Sequence, residues 1–189
     1  MLPGYFRMLA LLAYYIFANY DPALDVVILE VGMGGRYDAT NVFDFEKRQV
    51  ACGVTLLDLD HTRILGDTLE QIAWEKGGIF QMDKGSKQAQ SPKPSDGPHE
   101  SAAGTFPASK RCFYAIGTNT ASSLKVLQGC AAIEGQGSHL CVINEDPELE
   151  GIEIGLPGSH QRINASLATA LCKDITRDGE IDTPTLHLA

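Results

Sequence analysis

The chain has 189 residues, 44% of them hydrophobic and 21% charged, which is ordinary for a globular protein with a substantial core. A formal net charge of −9 argues against a nucleic-acid partner, which asks for a basic face. It leaves an anionic small ligand open, because local site charge outweighs the total. The five cysteines, Cys52, Cys112, Cys130, Cys141 and Cys172, make no C-x-x-C pair and leave an odd one over, which favours a reduced, intracellular compartment over a disulfide framework.

In chain order, the apolar run Met8 to Ala18 superficially resembles a signal peptide. It is too short to span a bilayer, whose core needs about 20 apolar residues. Pro3 and Gly4 before a pattern apolar nearly all round predict a core helix over Tyr5 to Asn19. A turn follows at Asp21-Pro22, and then VVILEVGMGGRYDATN, Val26 to Asn41. Its aliphatic opening predicts a strand over Asp25 to Val31, covered on both faces in a parallel sheet. Glu30 interrupts that apolar sequence, so it needs a cation partner, a metal, or a place at the strand's open end. Gly32-Met33-Gly34-Gly35 matches neither the dinucleotide G-x-G-x-x-G nor the P-loop. It reads as a tight strand exit at the carboxyl end of a sheet, where ligands sit in open α/β folds and where Glu30 would face the crevice. A structural ion pair with an arginine is the plainer account of Glu30.

A second strand is predicted over Gln49 to Leu56, followed by the acidic loop Leu57-Asp58-Leu59-Asp60-His61. Gly66-Asp67-Thr68 offers an N-cap to a helix running to about Lys76, with Gly77-Gly78 as its stop. Residues 82–110 turn to Ser, Pro, Gly and Lys and read as a disordered insertion, since they carry too little apolar surface to offset their ordering entropy. Strand-like runs return at Arg111 to Ile116, Leu140 to Asn144 and Ile152 to Leu156, and Pro157-Gly158-Ser159 leads into a helix from about His160 to Lys173. Gly117 to Ser123 looks faintly like a phosphate loop but lacks the second glycine and the lysine. The division expected is a core over 1–81, the insertion 82–110, the remainder of the same domain over 111–173, and a patternless tail 174–189. The fold class expected is α/β, a mostly parallel sheet with flanking helices.

Three blocks together carry a resemblance: PGYFRMLALLAYYIF with VVILEVGMGGRYDATNV, then CGVTLLDLDHTRILGDTLEQIAWEKGGIF, then LPGSHQRINASLATAL. They cover roughly half of the chain and resemble folylpolyglutamate synthase of eukaryotic type, in the ATP-dependent Mur-ligase superfamily. The resemblance implies the central ATPase domain of such a ligase, here incomplete. It implies a reaction in which ATP phosphorylates the γ-carboxyl of a reduced folate polyglutamate and L-glutamate attacks the acyl phosphate, with ATP and Mg²⁺ as cofactors. A metal supplies the positive charge that phosphoryl transfer between two anions requires.

The same resemblance gives the residues their roles. Glu30 is a magnesium ligand, a hard-oxygen anchor suited to that ion. His61 matches a second-magnesium ligand, although imidazole suits softer metals and an N-cap or loop role is its plainer reading. Lys76 aligns with a lysine carbamylated by carbon dioxide. A neutral amine is needed for that, favoured by desolvation or neighbouring cations, whereas pairing with the helix C-terminus is the plainer reading. Asn164, with His160 and Gln161 in the same turn, matches the nucleotide side, though early-helix polar residues are common caps. Asp38, Thr40 and Asn41 match a loop motif, and their own chemistry suggests loop-fixing hydrogen bonds.

The sequence contains no G-x-x-x-x-G-K-[ST], so the chain resembles the middle of such an enzyme, is not expected to turn over alone, and is expected to dissolve poorly. Other expectations are a monomer in cytosol or mitochondrion, with no nucleic-acid partner and no membrane span. Two alternatives stay open: a non-catalytic metal- or nucleotide-binding fragment, and a metal-dependent hydrolase built on Glu30, Asp58, Asp60 and His61.

Overall fold

A computed structural model describes residues 3–42, 50–80, 112–132 and 140–176. Three short parallel strands form the sheet: β1 (Ala51–Val54), β2 (Cys112–Ile116) and β3 (Leu140–Ile143), in that spatial order. Cys52 faces Phe113 and Phe113 faces Leu140 across the ladder. Among the described residues every pairing is parallel, as the apolar strands and intervening helices predict.

The side-chain alternation of a strand divides the core into two faces. On one side Val54, Phe113 and Ala115 pack with Ile72 and Ala73 of α3 (Leu69–Lys76), Phe80 of the following 3₁₀ turn (Gly77–Phe80), and Leu127, Cys130 and Ala131 of α4 (Ala121–Ala132). The rings of Phe80 and Phe113 lie 4.8 Å apart. On the other side Tyr114 and Ile116 meet Ile163, Leu167 and Leu171 of α5 (His160–Ile175). Gly53 lets α5 approach closely, since a Cβ there would lie 2.9 Å from a Leu171 methyl.

Local chemistry explains the helix starts. Thr68 accepts from the Gln71 amide while the Gln71 side chain reaches back to the Thr68 amide, a capping box that starts α3. The Gly117 to Ser123 stretch is the entry to α4: Thr120 Oγ1 accepts from the Ser123 amide at 3.2 Å. No helix was legible in Ala121–Ala132, because its serines and Gly129 are weak formers; packing of Leu127, Cys130 and Ala131 holds it. A four-residue helix, α2 (Thr62–Leu65), follows the acidic loop.

The N-terminal third departs from expectation. Helix α1 (Tyr5–Ala18) forms where predicted, yet none of its residues is buried, and Tyr5 is 81% exposed. It touches the glycine loop through Phe6, whose ring lies where a Gly32 Cβ would stand, and through the Tyr14 hydroxyl, which donates to the Ala39 carbonyl at 3.0 Å. Val26 to Val31 forms no strand, and Ile28 is 88% exposed. A strand buried on both faces needs a neighbour for its backbone groups, and no described strand pairs with this segment. Ile152 to Leu156 likewise forms no strand, while α5 runs to Ile175, two residues past its expected end. The insertion expected at 82–110 and most of the expected tail lie outside the described residues.

Candidate functional site

A cleft of about 420 Å³ opens at the carboxyl ends of the strands, the place where open α/β sheets bind ligands. Thr55 and Leu56 leaving β1, Ile116 and Thr118 at the end of β2, and Glu145 beyond β3 form one wall. Ser159, His160, Ile163 and Asn164 at the start of α5 form the other. Of the three residues expected on this side, His160 and Asn164 line the cleft. Gln161 stands behind them, its Oε1 accepting from Asn164 Nδ2 at 3.2 Å. Gly158 has φ +121 and lies under the His160 ring, where a Cβ would come within 2.5 Å of it. The amides of Gln161 and Arg162 turn back onto the Gly158 and Ser159 carbonyls, so the first helical turn does not present all its donors to the cleft.

The β3 side of the cleft is pinned to α5. Ser166 Oγ accepts from the Asp146 amide and donates to the Arg162 carbonyl, both at 2.8 Å. Arg162 donates to the Leu149 carbonyl at 2.6 Å and lies 3.8 Å from Glu145. Thr118 stands in the stretch that looks faintly like a phosphate loop, and Thr55, Leu56 and Glu145 were not singled out from sequence. Their only sequence-level signal is position just past a strand end, which carries no distinctive residue type.

The second group of expected residues sits around the glycine loop and the acidic loop. Asp38 fixes the former: one carboxylate oxygen accepts from the Met33 amide at 3.1 Å, and the other accepts from the Thr40 amide and hydroxyl at 2.9 and 2.7 Å. This matches the loop-fixing role that their chemistry suggests. Asn41 Nδ2 reaches the carbonyls of Arg36 and Gly78 at 3.2 and 3.1 Å. The Arg36 amide donates to the Glu75 carbonyl at 2.9 Å, and its guanidinium donates to the Trp74 carbonyl at 3.0 Å. The glycine loop is thereby docked on the end of α3 that carries Lys76, which is half-buried. Gly35 and Gly78 permit the contact, since a Cβ on either would strike backbone within 2.7 Å. Arg36 was not named from sequence.

Glu30 is exposed. His61 caps α2 in the left-handed region at φ 51, an uncommon conformation for a non-glycine residue. Asp60 accepts from its backbone amide at 2.7 Å and brings Oδ2 to 3.6 Å from Nε2. Among the described residues no three His, Cys, Asp or Glu side chains gather as a metal cage. Glu30, Asp58, Asp60 and His61, the four residues of the hydrolase alternative, are not gathered in such a group. Glu30 is a donor compatible with magnesium, which takes hard oxygens, keeps several waters and is held through one or two carboxylates plus substrate phosphates, whereas the His61 imidazole suits softer metals.

No family model matches the chain. It is 36% identical over 179 residues to the mitochondrial folylpolyglutamate synthase of Bos taurus, an alignment covering 91% of this chain and 24% of that protein. It is 34% identical to folylpolyglutamate synthase of Saccharomyces cerevisiae (strain FostersO), covering 95% of this chain and 26% of the relative. Over nine-tenths of its own length the chain is similar to folylpolyglutamate synthases. It spans about a quarter of the length of these curated relatives. A solved Mycobacterium tuberculosis folylpolyglutamate synthase complexed with ADP superposes with TM-score 0.58 at 27% identity, over 92% of this chain and 37% of that one. The apo form of L. casei FPGS superposes with TM-score 0.63 at 21% identity, over 90% and 38%, which supports the fold. The α/β, parallel-sheet fold expected from sequence is therefore the one that folylpolyglutamate synthases have in this region. Among the described residues no helix is long and apolar enough to cross a membrane.

Proposed function

We propose that this chain supplies the central nucleotide- and metal-side portion of an ATP-dependent ligase that adds L-glutamate to the γ-carboxyl of a reduced folate. The observation that carries this reading is the alignment with folylpolyglutamate synthases across more than nine-tenths of the chain. It is supported by a strand-end cleft of suitable size lined by His160 and Asn164, and by a solved relative described as complexed with ADP.

In this reading the cleft takes the nucleotide, with Asn164 and His160 toward the base and Gln161 orienting Asn164. A folate carboxylate oxygen attacks the γ-phosphorus and ADP leaves, giving an acyl phosphate. The amine of glutamate then attacks the acyl carbon, phosphate leaves, and the nitrogen gives up a proton as the amide forms. Glu30 would hold one magnesium and His61 a second, and magnesium when bound neutralises charge developing on the phosphoryl oxygens. Lys76, carbamylated, would add an anionic oxygen donor at the end of α3. The glycine loop that follows Glu30 is docked on that same helix end through Arg36, which supports reading the two residues together. The protein would act as a monomer in cytosol or mitochondrion, as one relative's mitochondrial description suggests.

The test is ATP binding by calorimetry, together with ATP- and magnesium-dependent transfer of labelled glutamate to tetrahydrofolate, on this chain alone and within any longer polypeptide that carries it. Asn164→Ala and His160→Ala should weaken ATP binding. Binding that neither substitution alters would remove the nucleotide site from this cleft. ATP binding without glutamate transfer in either form would make the protein a binding module.

A further inference from the structure

Asn119 lies outside the lining of the cleft, yet its side chain holds that lining together. The residue is 7% exposed. Its Oδ1 accepts from the Leu57 amide at 2.8 Å, and its Nδ2 donates to the Thr55 carbonyl at 3.2 Å and the Ile116 carbonyl at 3.1 Å. Thr55 and Ile116 line the cleft, and Leu57 directly follows Leu56, which also lines it.

The ladder between β1 and β2 ends at the pair Val54 and Ala115. Beyond that register the Asn119 amide bridges the two strand exits. Leu57 is 6% exposed, so its amide would be left buried and unpaired without the Asn119 oxygen. Leu57 also begins the turn into Asp58, Asp60 and His61. We propose that Asn119 is a positioning residue that fixes the strand-end rim of the cleft and, one step on, the acidic loop carrying His61. The consequence for ligand affinity rests on reading the cleft as a nucleotide site; the fixing of the rim does not.

Two substitutions separate hydrogen bonding from simple filling of space. Asn119→Asp keeps the shape and the acceptor for Leu57 but sets carboxylate oxygen against the Thr55 and Ile116 carbonyls. Protonation restores one donor, so the defect of this variant eases as pH falls. Asn119→Ala has nothing to titrate.

Hydrogen exchange of the full chain, read by peptide, should show faster exchange over 55–61 in both variants, with 112–116 as protected as in the parent. ATP affinity measured by calorimetry should fall about tenfold in Asn119→Asp at about pH 8 and recover toward the parent near pH 5.5, while Asn119→Ala stays weak throughout. Unchanged exchange over 55–61, exchange raised equally across the whole sheet, or identical pH profiles for the two variants would overturn the proposal. Exchange confined to 55–61 in a chain that binds no ATP would leave the rim-fixing role standing and remove the nucleotide reading.

Discussion

The guanidinium of Arg36 lies 3.7 Å from the centroid of the Trp74 ring, in cation–π contact, while also donating to the Trp74 carbonyl. A residue of the glycine loop is thus bound to the last turn of α3 by its charge, its planarity and its backbone. Trp74 is the chain's one tryptophan, so its emission reports this docking directly.

Arg36→Ala should therefore shift the Trp74 emission and cost about 2–3 kcal/mol in urea unfolding. Arg36→Lys keeps the charge but not the planar fork, and should recover only part of that loss. An unshifted emission in both variants would mean that the loop is not docked on the ring.

Two glycines should respond oppositely to the same methyl group. Gly78→Ala would set its Cβ 2.3 Å from Arg36 Cβ and 2.4 Å from Arg36 Cα, so it should destabilise by about 3 kcal/mol or prevent loop docking. Gly129 lies inside α4 with nothing within 4 Å of its added Cβ. Gly129→Ala should stabilise by about 0.5–1 kcal/mol. Thermal or urea melts of the pair decide it, and equal effects would contradict the packing described.

Burial pushes the Glu75 carboxyl up, against an opposing pull from Arg36. The folded chain then holds this proton more tightly than the unfolded chain. The group's favourable contribution is complete below its unfolded value and is lost as pH rises through its folded value. Glu75→Gln should accordingly melt higher than the parent at neutral pH, with the gap closing as pH falls toward about 4. A gap that widened on acidification would reverse the sign of this argument.

Thiol labelling should sort the cysteines by burial. Cys141 and Cys172 are exposed and Cys130 is buried. Burial pushes the Cys52 thiol up to about 12 and raises that of Cys130 as well, there against an opposing pull from Arg36. A disulfide reagent at mildly alkaline pH should modify Cys141 and Cys172 first, with Cys52 and Cys130 following only on local opening. Peptide mapping reads the order, and prompt labelling of Cys130 would show that α4 does not pack as described.

What the sequence determined by itself was whatever local chemistry enforces. The N-cap at Thr68, the stop at Gly77, the apolar runs of β1, β2 and β3 and the length of α1 all follow from residue type and period. So does the role of Asp38, whose short carboxylate bonds to the amides and hydroxyl of its own loop. Residue identity was also enough to carry the resemblance, because the blocks around Glu30, His61, Lys76 and Asn164 are long and contiguous.

Tertiary structure decided what depends on a neighbour. Val26 to Val31 has the composition of a buried strand but forms none, since pairing belongs to two segments and not to one. Helix α1 has the composition of a core helix yet stands exposed, because burial depends on what lies against it. In α4 the reverse holds: a weakly helical sequence is held by the cluster of Leu127, Cys130 and Ala131. Asn119 and Arg36 gave no signal of their own, because a bridging amide and a stacked guanidinium are recognisable only once residues 62 and 38 positions away in sequence are brought within hydrogen-bonding distance.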